Sequence, residues 1–418
     1  MLLGKMLCVF VLLGFSLTSG KLAGGASSSP SCKFPAIYNF GDSNSDTGAH
    51  SAVFVQIPAP YGETFFKKPS KRLSDGRVII DIIAEKLGVP YLSAYLDSLG
   101  TNFRQGANFA TAGSSILPGF FSPFDLGVQI SQFSQFKSRT TELYNNVSSS
   151  GEASHDCVIP KPDDFLKALY VFDIGQNDLT LGFQNMTPPQ VVATFPNILN
   201  RFTQAVQVRY TYTHLVFHKN PLWDFMEKEK SLFCRNSCPK NLFVLSILQQ
   251  LYGEGARSFW IHNTGPLGCI PLMALPVELR NVTLDPIGCV GFMNDVAQEF
   301  NQQLKEAVTQ LRTQLPQAKL TYVDVYAAKF ALISDAKNQG FAPSLEYCCG
   351  TFSPVFVMCG TSVQVNGTTF NGTACSDPSN RIIWDGIHYT EAANLWVASR
   401  ILNGSFSDPP VPISGACP

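Results

Sequence analysis

Apolar residues along this chain fall into two rhythms that alternate from one end to the other. Short continuous runs read as strands buried on both faces. They are Ala36-Ile37-Tyr38-Asn39-Phe40, Asn108-Phe109-Ala110-Thr111-Ala112, Leu169-Tyr170-Val171-Phe172-Asp173-Ile174, Arg257-Ser258-Phe259-Trp260-Ile261-His262 and Leu320-Thr321-Tyr322-Val323-Asp324-Val325. Between them, apolar positions recur every three or four residues. Val78, Ile79, Ile82, Ile83 and Leu87 form one helical face, opened by Ser74-Asp75-Gly76-Arg77 and ended by Gly88. Further helices are predicted from 126 to about 144, and from Pro188-Pro189 through Val191, Val192, Phe195, Ile198, Leu199, Phe202 and Val206. A long helix over 291–315 carries Val296, Phe300, Leu304, Val308 and Leu311, and a last one starts near Thr390-Glu391. Strands alternating with helices predict a three-layer α/β domain with a mostly parallel five-stranded sheet. Spacing leaves the strand order open.

The rhythm fails in one place. From Val208 to about Gln249, Tyr, His, Lys, Trp and Cys interleave with no sustained period. Excising these residues joins Gln207 to Gln250 and puts Phe202, Val206 and Leu251 on one helical face. The expectation is an insertion at 208–249 foreign to the domain, such as translated intron sequence. A helical lid is the rival reading, and a metal site of Cys234, Cys238, His214 and His218 a third. The domain is otherwise expected to run over 32–407, with a tail at 408–418.

Composition narrows the class. The 418 residues are 45% hydrophobic, enough for a large core, and a net charge of −1 without a basic block excludes charge-driven nucleic-acid binding. Lys5 precedes an apolar run, Met6 to Leu17, followed by small and polar residues, which reads as a signal peptide over 1–26. Cleavage is expected between about Gly20 and Ser28, with no later transmembrane span or lipid anchor. The mature protein is therefore expected to be secreted. Sequons at Asn146, Asn185, Asn281, Asn366, Asn371 and Asn403 agree with passage through the secretory pathway. Of the 12 cysteines, Cys8 leaves with the signal peptide. Cys269 with Cys289, and the cluster Cys348, Cys349, Cys359 and Cys375, read as disulfides whose connectivity stays open. Zinc is the competitor, but paired C-x2-C knuckles and interleaved histidines are lacking. No metal and no organic cofactor is called for.

Candidate chemistry sits where strands break into polar loops, the edge at which open α/β sheets bind ligands. Gly41-Asp42-Ser43 presents a hydroxyl there, although Ser and Asp after a strand also serve as helix caps. A serine becomes an effective nucleophile once a base relieves it of its proton. His388 is the best-placed base among 6 histidines, ahead of His50, His155 and His262, because Asp385 lies three residues before it. A carboxylate at that offset reaches Nδ1 and leaves Nε2 free to accept a proton. The oxyanion formed by attack needs preorganised donors. The backbone N–H groups of Ser43 and Gly113 and the amide of Asn177 are candidates, glycine allowing close approach of the backbone.

Gly41-Asp42-Ser43, Asn108-Phe109-Ala110-Thr111-Ala112-Gly113, Gly175-Gln176-Asn177-Asp178 and Asp385-Gly386-Ile387-His388 resemble, in order, the four blocks of the SGNH, or GDSL, hydrolases. Tyr38-Asn39-Phe40-Gly41-Asp42-Ser43-Asn44-Ser45-Asp46-Thr47-Gly48, with Ser74-Asp75-Gly76-Arg77, is similar to the plant secreted GDSL esterase/lipases, particularly the early-nodulin-like branch. The likeness extends over about 34–405, excepting 208–249. It implies a flavodoxin-like α/β/α fold and hydrolysis of acyl or acetyl esters through an acyl-enzyme. Ser43 would be nucleophile, His388 base, Asp385 its orienter, and Gly113 with Asn177 the oxyanion hole. No Gly-x-Ser-x-Gly elbow points to the α/β-hydrolase alternative. The expected partner is a small-molecule or cell-wall ester, with the loops at 57–69 and 117–124 forming an apolar wall around it. An acyltransferase with the same triad and a non-catalytic cell-wall glycoprotein are the alternatives.

Overall fold

The computed structural model describes residues 32–119, 121–150, 158–203, 205–206, 244–245, 247–278 and 283–418. Its strands in chain order are β1 (Ile37–Gly41), β2 (Gly106–Asn108), β3 (Leu169–Asp173), β4 (Ala205–Val206), β5 (Val244–Leu245), β6 (Ser258–His262), β7 (Lys319–Val323), β8 (Ser362–Val365), β9 (Thr368–Asn371) and β10 (Ser407–Asp408). The central sheet has six strands in the order β10-β7-β6-β3-β1-β2. All neighbours pair parallel except β10, which joins β7 antiparallel. Five strands are present as expected, but the second ends at Asn108, where the predicted run of 108–112 begins. It starts at Gly106, whose missing side chain lets it pair closely against Ile37, and no apolar run marks that start. The sheet also gains a sixth strand. Ser407-Asp408 is too short and polar for an apolar run to announce it. Counting the parallel strands alone, the order is the flavodoxin-like 2-1-3-4-5.

Burial on both faces explains the continuous apolar runs. Tyr38, Phe40, Tyr170, Phe172, Phe259 and Ile261 point into one core, while Ile37, Leu169, Val171 and Trp260 point into the other. The first is an aromatic lattice: Phe40 stacks on Phe109 and Phe172 at 5.4 and 5.1 Å, and Tyr38 meets Phe133 edge-on at 5.0 Å. Each such ring contributes roughly 1.5–3 kcal/mol by burial. The helix Leu126–Ser150 closes this face with Leu126, Ile130 and Phe133, and Gly291–Gln314 with Val296, Phe300, Leu304, Val308 and Leu311. The opposite face is covered by Ile79–Leu87, Val325–Ser334 and Glu391–Ile401. Gly88, at φ 71°, ends the first of these as expected.

The helix predicted from Pro188 to Val206 is instead two, Pro188–Val192 and Phe195–Thr203. Pro196 cannot donate a backbone hydrogen bond, so it sits where a helix starts rather than inside one. β4 and β5 then pair antiparallel, and Ile247–Gly253 returns the chain to the core through Leu248 and Leu251. Most of the 208–249 segment, including His214, His218, Cys234 and Cys238, lies outside the described residues, as do the signal-peptide residues, His155 and Asn281.

Disulfides join Cys32–Cys417, Cys269–Cys289, Cys348–Cys375 and Cys349–Cys359. The first ties the opening of the domain to the stretch read as a tail, where Ile413 and Ala416 are fully buried. The last two brace a small cluster of Ile57, Tyr61 and Trp384. Asn185, Asn366, Asn371 and Asn403 are exposed, Asn366 in the turn of the β8–β9 hairpin. Among the described residues no helix is long and apolar enough to cross a membrane.

Candidate active site

The chain goes from β1 to β2 on one side and then crosses to β3 on the other, so a crevice opens at the carboxyl ends of β1 and β3. Ser43 follows β1, Gly113 lies in the loop beyond β2, and Asn177 follows β3. These three and His388 line one cavity of about 320 Å³, walled by apolar side chains such as Leu73, Phe121, Leu267, Ile270 and Met273. Phe121 comes from the 117–124 loop, as expected. The 57–69 loop supplies no wall; its place is taken by the segment after β6, which the sequence reading did not assign.

Asp385 and His388 meet as their spacing predicted. Nδ1 of His388 lies 3.0 and 2.8 Å from Asp385 Oδ1 and Oδ2, and Oδ1 also accepts the backbone N–H groups of Ile387 and His388 at 3.0 and 2.9 Å. A carboxylate only accepts, so Nδ1 carries the proton and Nε2 is the basic nitrogen. Tyr61 donates its hydroxyl to Asp385 Oδ2 at 2.8 Å. Burial pushes the Asp385 carboxyl up, but the charge and hydrogen bonds of His388, with the Tyr61 hydroxyl, outweigh it and hold the group below its ordinary value.

The helix after His388 is pinned from a distance. Asp75 Oδ1 accepts the Glu391 N–H at 2.7 Å, and Glu391 takes the Arg77 Nε and Nη2 hydrogens at 2.9 and 2.6 Å. Gly76 has no room for a side chain, since a Cβ there would lie 2.6 Å from Glu391 Oε2. Ser74-Asp75-Gly76-Arg77 thus does more than open a helix: it holds the start of the helix that follows His388.

The Ser43 and Gly113 loops are bound together by Asp46 and Asn108, motif residues without a role assigned from sequence, and by Gln129. Asp46 accepts the N–H groups of Gly48, Ala49, His50 and Ala112 at 2.7–2.9 Å. Asn108 bridges Asn39 and the Ser45 carbonyl at 2.7 and 2.6 Å. Gln129 grips both the N–H and the C=O of Gly41 at 2.9 and 2.8 Å. Gly113 has φ 80°, a left-handed backbone that suits glycine. Neither its N–H nor that of Ser43 has a partner among the described residues. Asn177 donates one amide hydrogen to the Ser114 carbonyl at 2.8 Å, which fixes the amide and leaves its other hydrogen available. Asp178 fastens the same loop, accepting Ile116 N–H at 2.8 Å and Leu117 N–H at 3.0 Å.

A second histidine–carboxylate pair lies beneath. His262 Nδ1 is 3.2 Å from Asp173 Oδ2, but both are buried and neither lines the cavity. His50 packs at a tilt against Phe54 and is likewise not among the lining residues. Of the described histidines, His388 alone reaches the cavity with Ser43. Among the described residues no cluster of His, Cys, Asp and Glu is arranged to hold a metal.

The family model described as GDSL-like Lipase/Acylhydrolase matches residues 37–401. A GDSL esterase/lipase of Arabidopsis thaliana is 46% identical over 93% of this chain and 90% of its own. The GDSL esterase/lipase ENOD8 of Medicago truncatula is 43% identical over 92% and 90%, in line with the early-nodulin-like resemblance. A protein named alpha-L-fucosidase 3, from Arabidopsis thaliana, is 42% identical over 89% and 91%. The chain belongs to the GDSL-like lipase/acylhydrolase family and is an ester-bond hydrolase.

Proposed function

We propose that the protein is a secreted, glycosylated carboxylester hydrolase that works through an acyl-enzyme on Ser43. The observation that carries this reading is His388, held by Asp385 behind it, lining one cavity together with Ser43. His388 Nε2 takes the Ser43 proton as Oγ attacks the ester carbonyl carbon. The N–H groups of Ser43 and Gly113 and the Asn177 amide meet the charge that develops on the carbonyl oxygen. Collapse expels the alcohol, which leaves with the proton from His388. Water, deprotonated by the same nitrogen, then releases the acid and restores Ser43.

The apolar lining supports acyl or small aromatic groups on the substrate. A glycosidase, the activity named for one relative, ordinarily flanks its bond with two carboxylates, and no Asp or Glu is among the cavity-lining residues. Secretion rests on the signal-peptide pattern of residues 1–26, with the disulfides in support.

A fluorophosphonate followed by mass spectrometry tests the reading. One adduct is expected, on Ser43, with no labelling of Ser43→Ala and loss of esterase turnover in His388→Ala. Robust turnover in both variants would exclude the mechanism. Transfer of the acyl group to an added alcohol, in preference to water, would identify an acyltransferase instead.

A further inference from the structure

Lys329 is the one lysine among the described residues that line the cavity, and no arginine, aspartate or glutamate joins it there. It stands on the helix Val325–Ser334, is only 4% exposed, and lines the same cavity as Ser43 and His388. Its ammonium sits 4.3 Å from the centre of the Tyr389 ring, immediately after His388. Asp42 and Asp173 act on it through space, yet among the described residues it has neither an ion pair nor a hydrogen bond. Gly265 borders it: a Cβ at that position would lie 3.2 Å from Cδ and 3.7 Å from Nζ, so glycine keeps the head group uncovered.

An ammonium has three hydrogens to donate and a large penalty for leaving them unmade away from water. The aromatic face stabilises the charge but accepts none of those hydrogens directionally. Burial accordingly pulls the Lys329 ammonium below its usual range, against the opposing effect of Asp173 and Asp42. A group in this state favours a ligand that brings an acceptor and disfavours one that brings only carbon, because the second leaves the donors unpaired.

We propose that Lys329 determines specificity by donating hydrogen bonds to an oxygen that the substrate carries outside its reacting ester group. The cavity would then take oxygenated esters in preference to plain alkyl esters of equal size. The inference rests on the ester-hydrolase reading of this cavity. A neutral ether, hydroxyl or carbonyl oxygen fits best, since Asp173, whose carboxyl is held below its ordinary value, already supplies negative charge near the ammonium.

The test compares matched esters that differ by one CH2-to-oxygen exchange. One pair is p-nitrophenyl pentanoate and p-nitrophenyl 3-methoxypropanoate; the other is butyl acetate and 2-methoxyethyl acetate. The readout is the ratio of kcat/KM, oxygenated over alkyl, in the wild type divided by the same ratio in Lys329→Met, which cancels intrinsic reactivity. A value of about ten or more in either pair is expected, with Lys329→Gln, which keeps a donor, retaining part of it. A value near one in both pairs would overturn the proposal, as would equal ratios in the Met and Gln variants. The Gln variant alone decides if the Met variant does not fold, since a purely structural lysine moves both esters together. A Lys329-dependent gain confined to p-nitrophenyl hemisuccinate would overturn the neutral-oxygen assignment. Hydrolysis of none of these esters by the wild type would instead count against the enzyme reading itself.

Discussion

The Tyr61 hydroxyl lies 2.8 Å from Asp385 Oδ2 and donates to it, although 324 residues separate the two in sequence. Trp384 meets the same ring edge-on at 5.9 Å, so the phenol is held where the carboxylate needs it. The orientation of His388 therefore depends on a loop that contributes nothing to the cavity wall.

Tyr61→Phe removes that donor and keeps the ring. Hydrogen bonds to charged groups contribute roughly 1.5–3 kcal/mol, so kcat/KM for a p-nitrophenyl ester is expected to fall about tenfold or more. Asp385, held below its ordinary value in the folded protein, adds stability above about pH 4 that is lost as pH falls through the folded value. The variant lets the carboxyl rise, so acid unfolding should begin at a higher pH. Unchanged activity and unchanged acid denaturation would show that the contact is idle.

Asp178 gives the opposite sign. Burial raises its carboxyl to about 7, against the backbone N–H groups of Ile116 and Leu117. A group that binds its proton more tightly when folded stabilises fully below about pH 4 and loses that contribution as pH rises toward 7. The integrated cost is on the order of 4 kcal/mol. Asp178→Asn cannot ionise, so its stability relative to the wild type is expected to improve steadily from pH 4 to pH 7 in urea unfolding. A constant difference across that range would refute the assignment.

Gly113→Ala places a Cβ on a residue with φ 80°, 3.2 Å from the Cβ of Phe121. The left-handed backbone costs an alanine roughly 1–2 kcal/mol, and relief requires the loop to move its N–H away from the cavity. Losing one oxyanion donor typically lowers kcat about a hundredfold, with little effect on KM. Full kcat in a folded Gly113→Ala variant would remove this N–H from the oxyanion hole.

The strands were legible because burial on both faces of a parallel sheet leaves an uninterrupted apolar run, as in Leu169–Asp173. Asp385 and His388 were legible because three residues of chain already bring them into contact. What escaped were groups acting across long sequence separations. Gln129 serves Gly41 from 88 residues away, and Glu391 serves Arg77 from 314. Neither leaves a period or a motif at its own position. Asp178 is next to Asn177 in the chain, yet its acceptance of two N–H groups from another loop arises only in the fold. Lys329 was hidden among Ala327, Ala328 and Phe330, where a long side chain on a helix ordinarily reads as reaching for solvent. The break before Phe195–Thr203 was different: Pro196 signalled it, and the periodicity of Val191, Phe195 and Ile198 concealed it.

The two-residue ladder of β4 with β5 puts the departure and the return of an excursion side by side. A doorway of that kind holds the two ends of the enclosed chain together, and the cost of closing a loop grows only slowly with its length. Residues can therefore be added to that passage or removed from it at small entropic expense to the strands on either side.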